Sequence, residues 1–383
     1  MKSSARGAIP AAVTTKHSGA APEPTRFALV GSGWRSQVYL RMAYLMPERF
    51  ELVGVVTRRA ETGERLERNW AVPTFRTIDE LLAVERPDFV VLSVPWPLTP
   101  DLTRQLADAR IRVLAETPPA PDLDGMRSLW SHVGASGLVQ VAEQYALMPL
   151  HAARLAIARG GLIGRPTSVQ VSSTHLYHVV SLIRLFLGVG YEPATVRSHT
   201  FATELVDPIA PDGWTHDGAA KPAENILSTI DFGAAGMGMY DFTTNQWWNP
   251  LRPDHLTVRG TAGEIHDDTV VRMADPVTPV TSRIERAMSG FGMNYEGLDL
   301  THLSLDGTVV FRNPYEGARL GDDDVAVAAL LDATGAWARG DGPPPYPLGW
   351  ACQDHLIGLA ITESAATGRA VTTGAQPWSV RRA

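Results

Sequence analysis

From Arg26 onward the apolar residues fall into short continuous runs separated by stretches of helical period. Phe27-Ala28-Leu29-Val30 is a run of strand length, Gly31-Ser32-Gly33 is a tight turn, and Arg35 to Met46 carries a helical pattern. Phe50 to Thr57 is a second strand with Leu52, Val53, Val55 and Val56, followed by a helix over roughly Ala60 to Trp70. Asp79-Glu80-Leu81-Leu82 opens another helical stretch, and Phe89 to Val94 is a buried strand closed by Pro95 and Pro97. Thr99 to Ala109 and Leu123 to Ser136 read as helices, Arg112 to Ala115 and Val139 to Ala142 as strands. Strands and helices alternating at these lengths predict a parallel sheet with helices on both faces, and strands covered on both faces should be near-continuous apolar runs, as these are.

After Tyr145 the rhythm changes. Leu150 to Arg159 is helical and stops at Gly160-Gly161, Thr167 to Ser173 alternates as a strand, and Val179 to Leu187 is a helix ending at Gly188. From Ala194 to Phe311 the pattern is mostly strands with long loops, including Ile226 to Phe232, Met237 to Phe242, His255 to Arg259 and Thr308 to Phe311. Helices near Asp323 to Ala338 and Gly349 to Thr367 close the chain. The expected fold class is α/β: an N-terminal Rossmann doubly wound parallel sheet over 26–145, then a C-terminal α+β domain over 146–383 with an open-faced, mostly antiparallel sheet.

Composition narrows the function. A chain of 383 residues suits two domains, and 44% apolar with 20% charged residues is ordinary for a packed core. Net charge is −7 with no basic stripe, which argues against nucleic acid as a partner. Cys352 is the lone cysteine, so an intrachain disulfide and a cysteine-based zinc site are excluded, and it reads as a small core residue. No apolar run approaches the length that spans a bilayer. Residues 1–25 are rich in Ala, Pro, Ser, Thr and Gly without an apolar signal core; a disordered tail, and by default a cytoplasmic protein, is expected.

The turn after the first strand carries the clearest chemistry. In Gly31-x-Gly33-x-x-Ser36 the first glycine makes the turn, the second lets the backbone approach a pyrophosphate, and the third position wants a small residue for helix–strand packing. Ser32, Trp34 and Arg35 complete the turn, and the helix that follows offers unpaired N–H groups to the phosphates. The second strand ends in Thr57-Arg58-Arg59, with no acid to hold a ribose 2′-OH and two arginines suited to a 2′-phosphate. NADP(H) is therefore favoured, with NAD(H) open if the arginines are only solvated surface charges.

These residues resemble the glucose–fructose oxidoreductase / inositol dehydrogenase (Gfo/Idh/MocA) family. Ala28 to Gly33 is similar to its nucleotide turn, Ser93-Val94-Pro95 to the end of its fourth strand, and Ala115-Glu116-Thr117-Pro118 sits where the family has Glu-Lys-Pro. Leu162-Ile163-Gly164, Arg259-Gly260-Thr261-Ala262-Gly263 and Leu359 to Arg369 resemble later family motifs, and the order fits from about Arg26 to the C-terminus. The resemblance implies a small-molecule substrate between the two domains over a nicotinamide, reversible hydride transfer at a sugar or polyol carbon, Glu116 near the nicotinamide ribose, and homodimers or homotetramers formed through the C-terminal sheet.

Thr117 stands at the position of the family's catalytic lysine, and a threonine hydroxyl does not act as a base at neutral pH. Of the family's Asp-x-x-x-His-x-x-Asp run only His178 is retained, with Thr174 and Ser181 in place of the aspartates. The candidate proton donors are His178, Tyr145 and Thr117. The thiazoline-imine reductases, a distant branch, also lack the lysine and use a tyrosine as donor. His175 and Tyr177 flank His178, and strand alternation would put only some of the three on one face. Trp214, Trp247 and Trp248, with Asn225 and Asn245, suit an aromatic substrate wall or sheet-face packing. His216 and Asp217 lie in a loop rich in Asp, Gly and Pro; His255 and His266 have no metal-like spacing, and no metal is expected. The leading expectation is an NAD(P)-dependent oxidoreductase with an atypical proton-transfer site. The alternatives are a non-catalytic dinucleotide-binding sensor or scaffold and a biosynthetic imine reductase.

Overall fold

Six short apolar strands build the first sheet. They are β1 (Thr25–Val30), β2 (Phe50–Val56), β3 (Thr74–Phe75), β4 (Phe89–Leu92), β5 (Val113–Ala115) and β6 (Val139–Val141). They alternate with α1 (Ser36–Leu45), α2 (Ala60–Trp70), α3 (Ile78–Val84), α4 (Thr99–Asp108) and α5 (Leu123–Val133). The computed structural model describes residues 23–210, 213–289 and 297–379; residues 1–22 of the expected tail lie outside the described residues. The strand order is β3-β2-β1-β4-β5-β6, with every neighbour parallel. Phe27, Ala28, Leu29 and all of β4 are buried because helices cover both faces. The order reverses direction between β1 and β4, and the crevice past the carboxyl ends of strands at such a point is where this kind of sheet takes ligands.

The second sheet is built from β7 (Pro166–Ser172), β8 (Thr195–Val206), β11 (Ala220–Asp231), β12 (Met237–Thr243), β13 (His255–Gly260), β14 (Gly263–His266), β15 (Thr269–Asp275), β16 (Thr278–Ser289), β17 (Asp299–Leu305), β18 (Thr308–Arg312) and β19 (Val371–Thr372). A two-stranded pair, β9 (Ile209–Ala210) and β10 (Gly213–Trp214), lies apart from it. The large sheet runs β18-β17-β16-β15-β14-β13-β7-β12-β11-β8-β19 and is antiparallel except where β7 meets β12. Much of the stretch that the sequence pattern reads as long loops is therefore strand. β16 escapes notice because Ile284 is its one buried residue, and Pro279, hydroxyl side chains and the charges of Arg283, Glu285 and Arg286 break the apolar pattern.

One face of this sheet is covered by α6 (Pro149–Arg159), α7 (Leu176–Leu187) and part of α9 (Leu348–Thr367), with Val169, Val171, Val196, Ile230 and Val258 fully buried beneath them. The other face leaves Phe201, Leu227, Val271 and Met273 exposed. Helix α7 starts three residues before the expected Val179, and that shift decides the site. Leu176 takes φ +44, a region costly for a side-chain-bearing residue, as the chain turns into the helix.

The end of the chain returns to the first sheet. Helix α8 (Asp322–Arg339) packs Val325, Val327, Ala328 and Leu331 against Phe27, Leu29 and Tyr39. The first half of α9 buries Ala351, Cys352 and Leu356 with Val90, Leu92 and Val113, while Ile357, Ala360 and Ile361 join the core of the second sheet. Helices α7 and α9 are joined by a buried Arg184–Asp354 ion pair, with the Tyr346 hydroxyl donating to Asp354 at 2.5 Å and the guanidinium over the Trp350 ring. Burial pushes the Asp354 carboxyl up to about 6, against the pull of Arg184. Among the described residues no helix is long and apolar enough to cross a membrane.

Candidate functional site

The turn between β1 and α1 is shaped by its two glycines in different ways. Gly31 takes φ +117, and a Cβ there would stand 1.9 Å from the carbonyl oxygen of Ser93 at the end of β4, so only glycine lets the two loops meet. A Cβ on Gly33 would meet nothing within 4 Å, leaving space for a ligand over the backbone. The amides of Gly33, Trp34 and Arg35 donate to no backbone carbonyl among the described residues. Free amides beside an open glycine, at the start of a helix, fit a pyrophosphate. Ser36 is fully buried against the sheet with an unpartnered Oγ, which is how the third small position packs here. Trp34 is 79% exposed on the rim of the turn.

Thr57 is buried, and its hydroxyl lies 3.2 Å from that of Ser32. Arg58 and Arg59 beyond it are exposed and form no ion pair among the described residues. Arg76, which the sequence pattern does not mark, donates to the carbonyls of Thr57 and Arg59 at 2.8 and 3.2 Å and stiffens the tip that carries the two arginines. On the other side of the crevice Val94 is half-buried and Pro95 exposed.

Glu116, just past β5, is held from the glycine turn. Arg35 Nε donates to its Oε1 at 2.8 Å and the Tyr39 hydroxyl to the same oxygen at 2.6 Å. Arg35 also reaches Asp323 on α8, and Gln144 donates to the other oxygen of Asp323 at 3.1 Å. Burial opposes the guanidinium charge, but Glu116 and Asp323 outweigh it and hold Arg35 above its ordinary range.

Past β6 the chain runs Glu143-Gln144-Tyr145, and here the expected proton donors converge. The ring centroids of Tyr145 and His178 are 4.6 Å apart. Thr174 Oγ1 donates to the Tyr145 hydroxyl oxygen at 2.9 Å. Burial pushes the Tyr145 hydroxyl up to about 12, so it keeps its proton. His178 Nδ1 lies 2.6 Å from Glu143 Oε2, both groups being buried. Tyr177 faces Thr117, and burial raises its hydroxyl further still.

Because His175, Tyr177 and His178 enter a helix rather than a strand, all three gather. Their rings lie 4.5 Å (Tyr177–His178), 5.4 Å (His175–His178) and 5.5 Å (His175–Tyr177) apart, which corrects the strand-alternation expectation. Burial, and then the neighbouring His178, bring His175 down to about 4, leaving it a neutral ring whose Nδ1 is buried without a partner. Trp247 packs edge-on to His175 at 5.1 Å and against Trp248 at 5.4 Å. From the first domain Trp96 reaches Tyr177 at 6.5 Å.

Other candidates go elsewhere. Trp214 is exposed in β10 and makes no aromatic contact among the described residues. Asn225 is bonded to Thr203 and Thr243 within the sheet, and Asn245 to Asp207. Asp217 pairs with Lys221 at the surface. His255, opposite Ser172 of β7, and His266 stack at 6.3 Å and share Asp267. Glu143, Asp323 and Trp96 are functional candidates that sequence reasoning misses. Glu143 carries a usable signal, since it directly follows a buried parallel strand at the end where such sheets place their sites.

The family model described as an oxidoreductase family with an NAD-binding Rossmann fold (Gfo/Idh/MocA) matches residues 25–144. No curated protein sequence shows significant similarity to the chain. Among solved structures, an NAD-binding oxidoreductase from Klebsiella pneumoniae aligns at TM-score 0.67 and 17% identity over 92% of this chain and 100% of its own. A myo-inositol dehydrogenase from Corynebacterium glutamicum aligns at 0.62 and 18% over 92% and 99%, and the WlbA dehydrogenase from Bordetella pertussis at 0.61 and 18% over 94% and 100%. These likenesses speak to the two-domain fold, and the family match assigns the first domain, residues 25–144, to the NAD-binding Rossmann fold of the Gfo/Idh/MocA oxidoreductases.

Proposed function

We propose that the protein is an NAD(P)-dependent oxidoreductase acting on a carbonyl, alcohol or imine carbon of a small, sugar-like substrate, with an atypical proton-transfer site. The observation that carries this reading is the Tyr145–His178 ring pair, 4.6 Å apart beside the ends of β5 and β6, where Glu116 is bonded to the glycine turn. Gly31, Ser32, Gly33, Trp34, Arg35 and Ser36 would hold the pyrophosphate side of the cofactor. Ser93, Val94, Pro95 and Glu116 would border its nicotinamide side, and Thr57, Arg58 and Arg59 its adenosine ribose. The cofactor supplies or accepts the hydride. His178 takes or gives the hydroxyl proton, Tyr145 donates a hydrogen bond or a proton, and Thr117 orders Tyr177 in the place of a lysine.

Solved relatives of this fold carry NADH with levoglucosan, NADH with UDP-GlcNAcA, and NAD+ with L-tartaric acid, which supports a nicotinamide dinucleotide and a polyhydroxylated substrate. The two free arginines after β2 tilt the preference of this chain to NADP(H), against the NAD(H) of those relatives. In this reading residues 26–145 form the dinucleotide domain and 146–383 the substrate domain. The exposed face of the large sheet pairs two or four copies of a cytoplasmic enzyme.

A second reading, imine reduction led by Tyr145, is favoured by the direction of one bond. Thr174 donates to the phenol oxygen, so the phenol hydrogen is left for a substrate nitrogen. Titration of the purified protein with NADPH and NADH, followed by nicotinamide fluorescence, tests the common ground. Tight binding of one, then turnover in a carbonyl, imine and sugar screen, is expected. Binding without any turnover would favour a sensor, and a folded protein that binds neither overturns the proposal.

A further inference from the structure

Glu143 is an expensive residue to place where it is. A carboxylate almost wholly removed from water loses several kcal/mol of hydration unless another group compensates it. Its compensation is narrow: Oε2 meets His178 Nδ1 at 2.6 Å, and Oε1 accepts the Tyr145 amide at 3.3 Å. Thr117, Tyr177 and Asp354 close around its other side. A carboxylate oxygen opposite a ring nitrogen accepts, so Nδ1 carries the hydrogen. The remaining nitrogen, Nε2, has no protein partner among the described residues and is not sealed from solvent. The pair is shut behind and open in front at one atom.

We infer that Glu143 is the positioning residue of the site: it fixes the His178 ring with Nδ1 protonated, aims Nε2 at the substrate, and stays as counter-charge when that nitrogen becomes protonated. This rests on the proposed function. In the oxidising direction the substrate O–H bond breaks and its proton goes to Nε2. The C–H bond breaks and its electron pair leaves with the hydride for the nicotinamide, so the alcohol is oxidised, the nicotinamide reduced, and the imidazole becomes imidazolium beside Glu143. A fixed tautomer and a buried counter-charge are what a histidine needs when no lysine shares the proton. The other titratable groups around His178 are His175 just before α7, Tyr177 on α7, Tyr145 after β6, and Asp354 on α9. None of them is bonded to the His178 ring among the described residues.

The test is long-range proton–nitrogen NMR of the full-length protein labelled at histidine, with His178 assigned by comparison with His178→Gln. The spectra are recorded across pH for wild type, Glu143→Gln and Glu143→Asp, beside a fluorescence titration with NADPH and NADH. Wild type is expected to show the neutral ring protonated at Nδ1. In Glu143→Gln the pH at which the ring charges falls, and both tautomers become populated, while affinity for the nucleotide stays within about twofold. Glu143→Asp restores the charging pH. Turnover in Glu143→Gln falls on the order of 10²-fold, with the profile following the ring titration. A wild-type ring protonated at Nε2, or titrations that coincide in wild type and Glu143→Gln, overturns the inference. The wild-type spectrum decides even if Glu143→Gln fails to fold. Undiminished turnover in His178→Gln would instead sink the acid–base reading and leave the Glu143 geometry standing, so the two failures are distinct.

Discussion

Arg35 Nε donates to Glu116 Oε1 at 2.8 Å, tying the glycine turn to the residue beside Thr117. The proposed dinucleotide cradle and the proposed catalytic cleft are thus a single ion pair apart, with Tyr39 on the same carboxylate oxygen. Both side chains are mostly out of solvent, so removing one partner strands the other. Arg35→Met should cost about 3 kcal/mol of stability in urea unfolding. A loss below about 1 kcal/mol would mean that the pair behaves as a surface bridge.

The two glycines of the turn should separate folding from binding. Gly31→Ala forces a Cβ onto the Ser93 carbonyl oxygen at a φ of +117, and the protein is expected to lose its cooperative melt. Gly33→Ala meets nothing in the protein and should melt at or slightly above the wild-type temperature, by up to about 1 kcal/mol of stability. Its nucleotide affinity should drop at least tenfold, because the new methyl fills the ligand's space. Intact affinity in Gly33→Ala would place the pyrophosphate elsewhere.

The proposed preference for NADP(H) rests on the arginines after β2. Arg58→Ala with Arg59→Ala should raise the Kd for NADPH roughly 10-fold, about 1.4 kcal/mol, and leave that for NADH unchanged. Equal losses for both nucleotides would show that the arginines do not read the 2′-phosphate.

Acid should unfold the protein through a histidine away from the site. Burial, and then Arg154, push His151 down to about 3, and its Nδ1 lies 3.2 Å from Arg154 Nη1, which can only donate, so the folded ring is neutral. An unfolded histidine charges near pH 6.5. Between that pH and about 3 the unfolded chain holds a proton that the folded one refuses, so this contribution is fully present above pH 6.5 and lost as pH falls. The slope is about 1.4 kcal/mol per pH unit per histidine. His175, brought down to about 4, adds the same sense over its own window. His151→Gln should flatten the stability–pH curve below pH 6; an unchanged slope would remove His151 from the account.

How much of this was readable from the chain depends on how local the cause is. The Rossmann strands are legible because a doubly covered parallel strand has to be an apolar run, and Phe89 to Leu92 is one. The glycine turn is legible because its geometry needs a residue without a side chain. Strand β16 is not, since a half-exposed strand can be mostly polar, and neither is the early start of α7, where Leu176 bends the chain against its own preference. The gathering of His175, Tyr177 and His178 follows from that start alone. The Glu143–His178 pair is a long-range contact between two elements, and no period or spacing in either one encodes it. Thr117 is visible as a departure and Tyr177 as a neighbour of His178, but their pairing joins two distant stretches and neither encodes it.

Helices α8 and α9 cover a sheet whose strands were finished long before them. The ribosome therefore releases β1 to β6 with Phe27, Leu29 and Leu92 still lacking part of the side chains that will bury them, and the whole second sheet must be synthesised before those side chains arrive. Domains commonly complete themselves in the order they emerge. Here the first to emerge is among the last to close, and a chain released after Val141 would present a partly covered apolar sheet to whatever chaperone meets it.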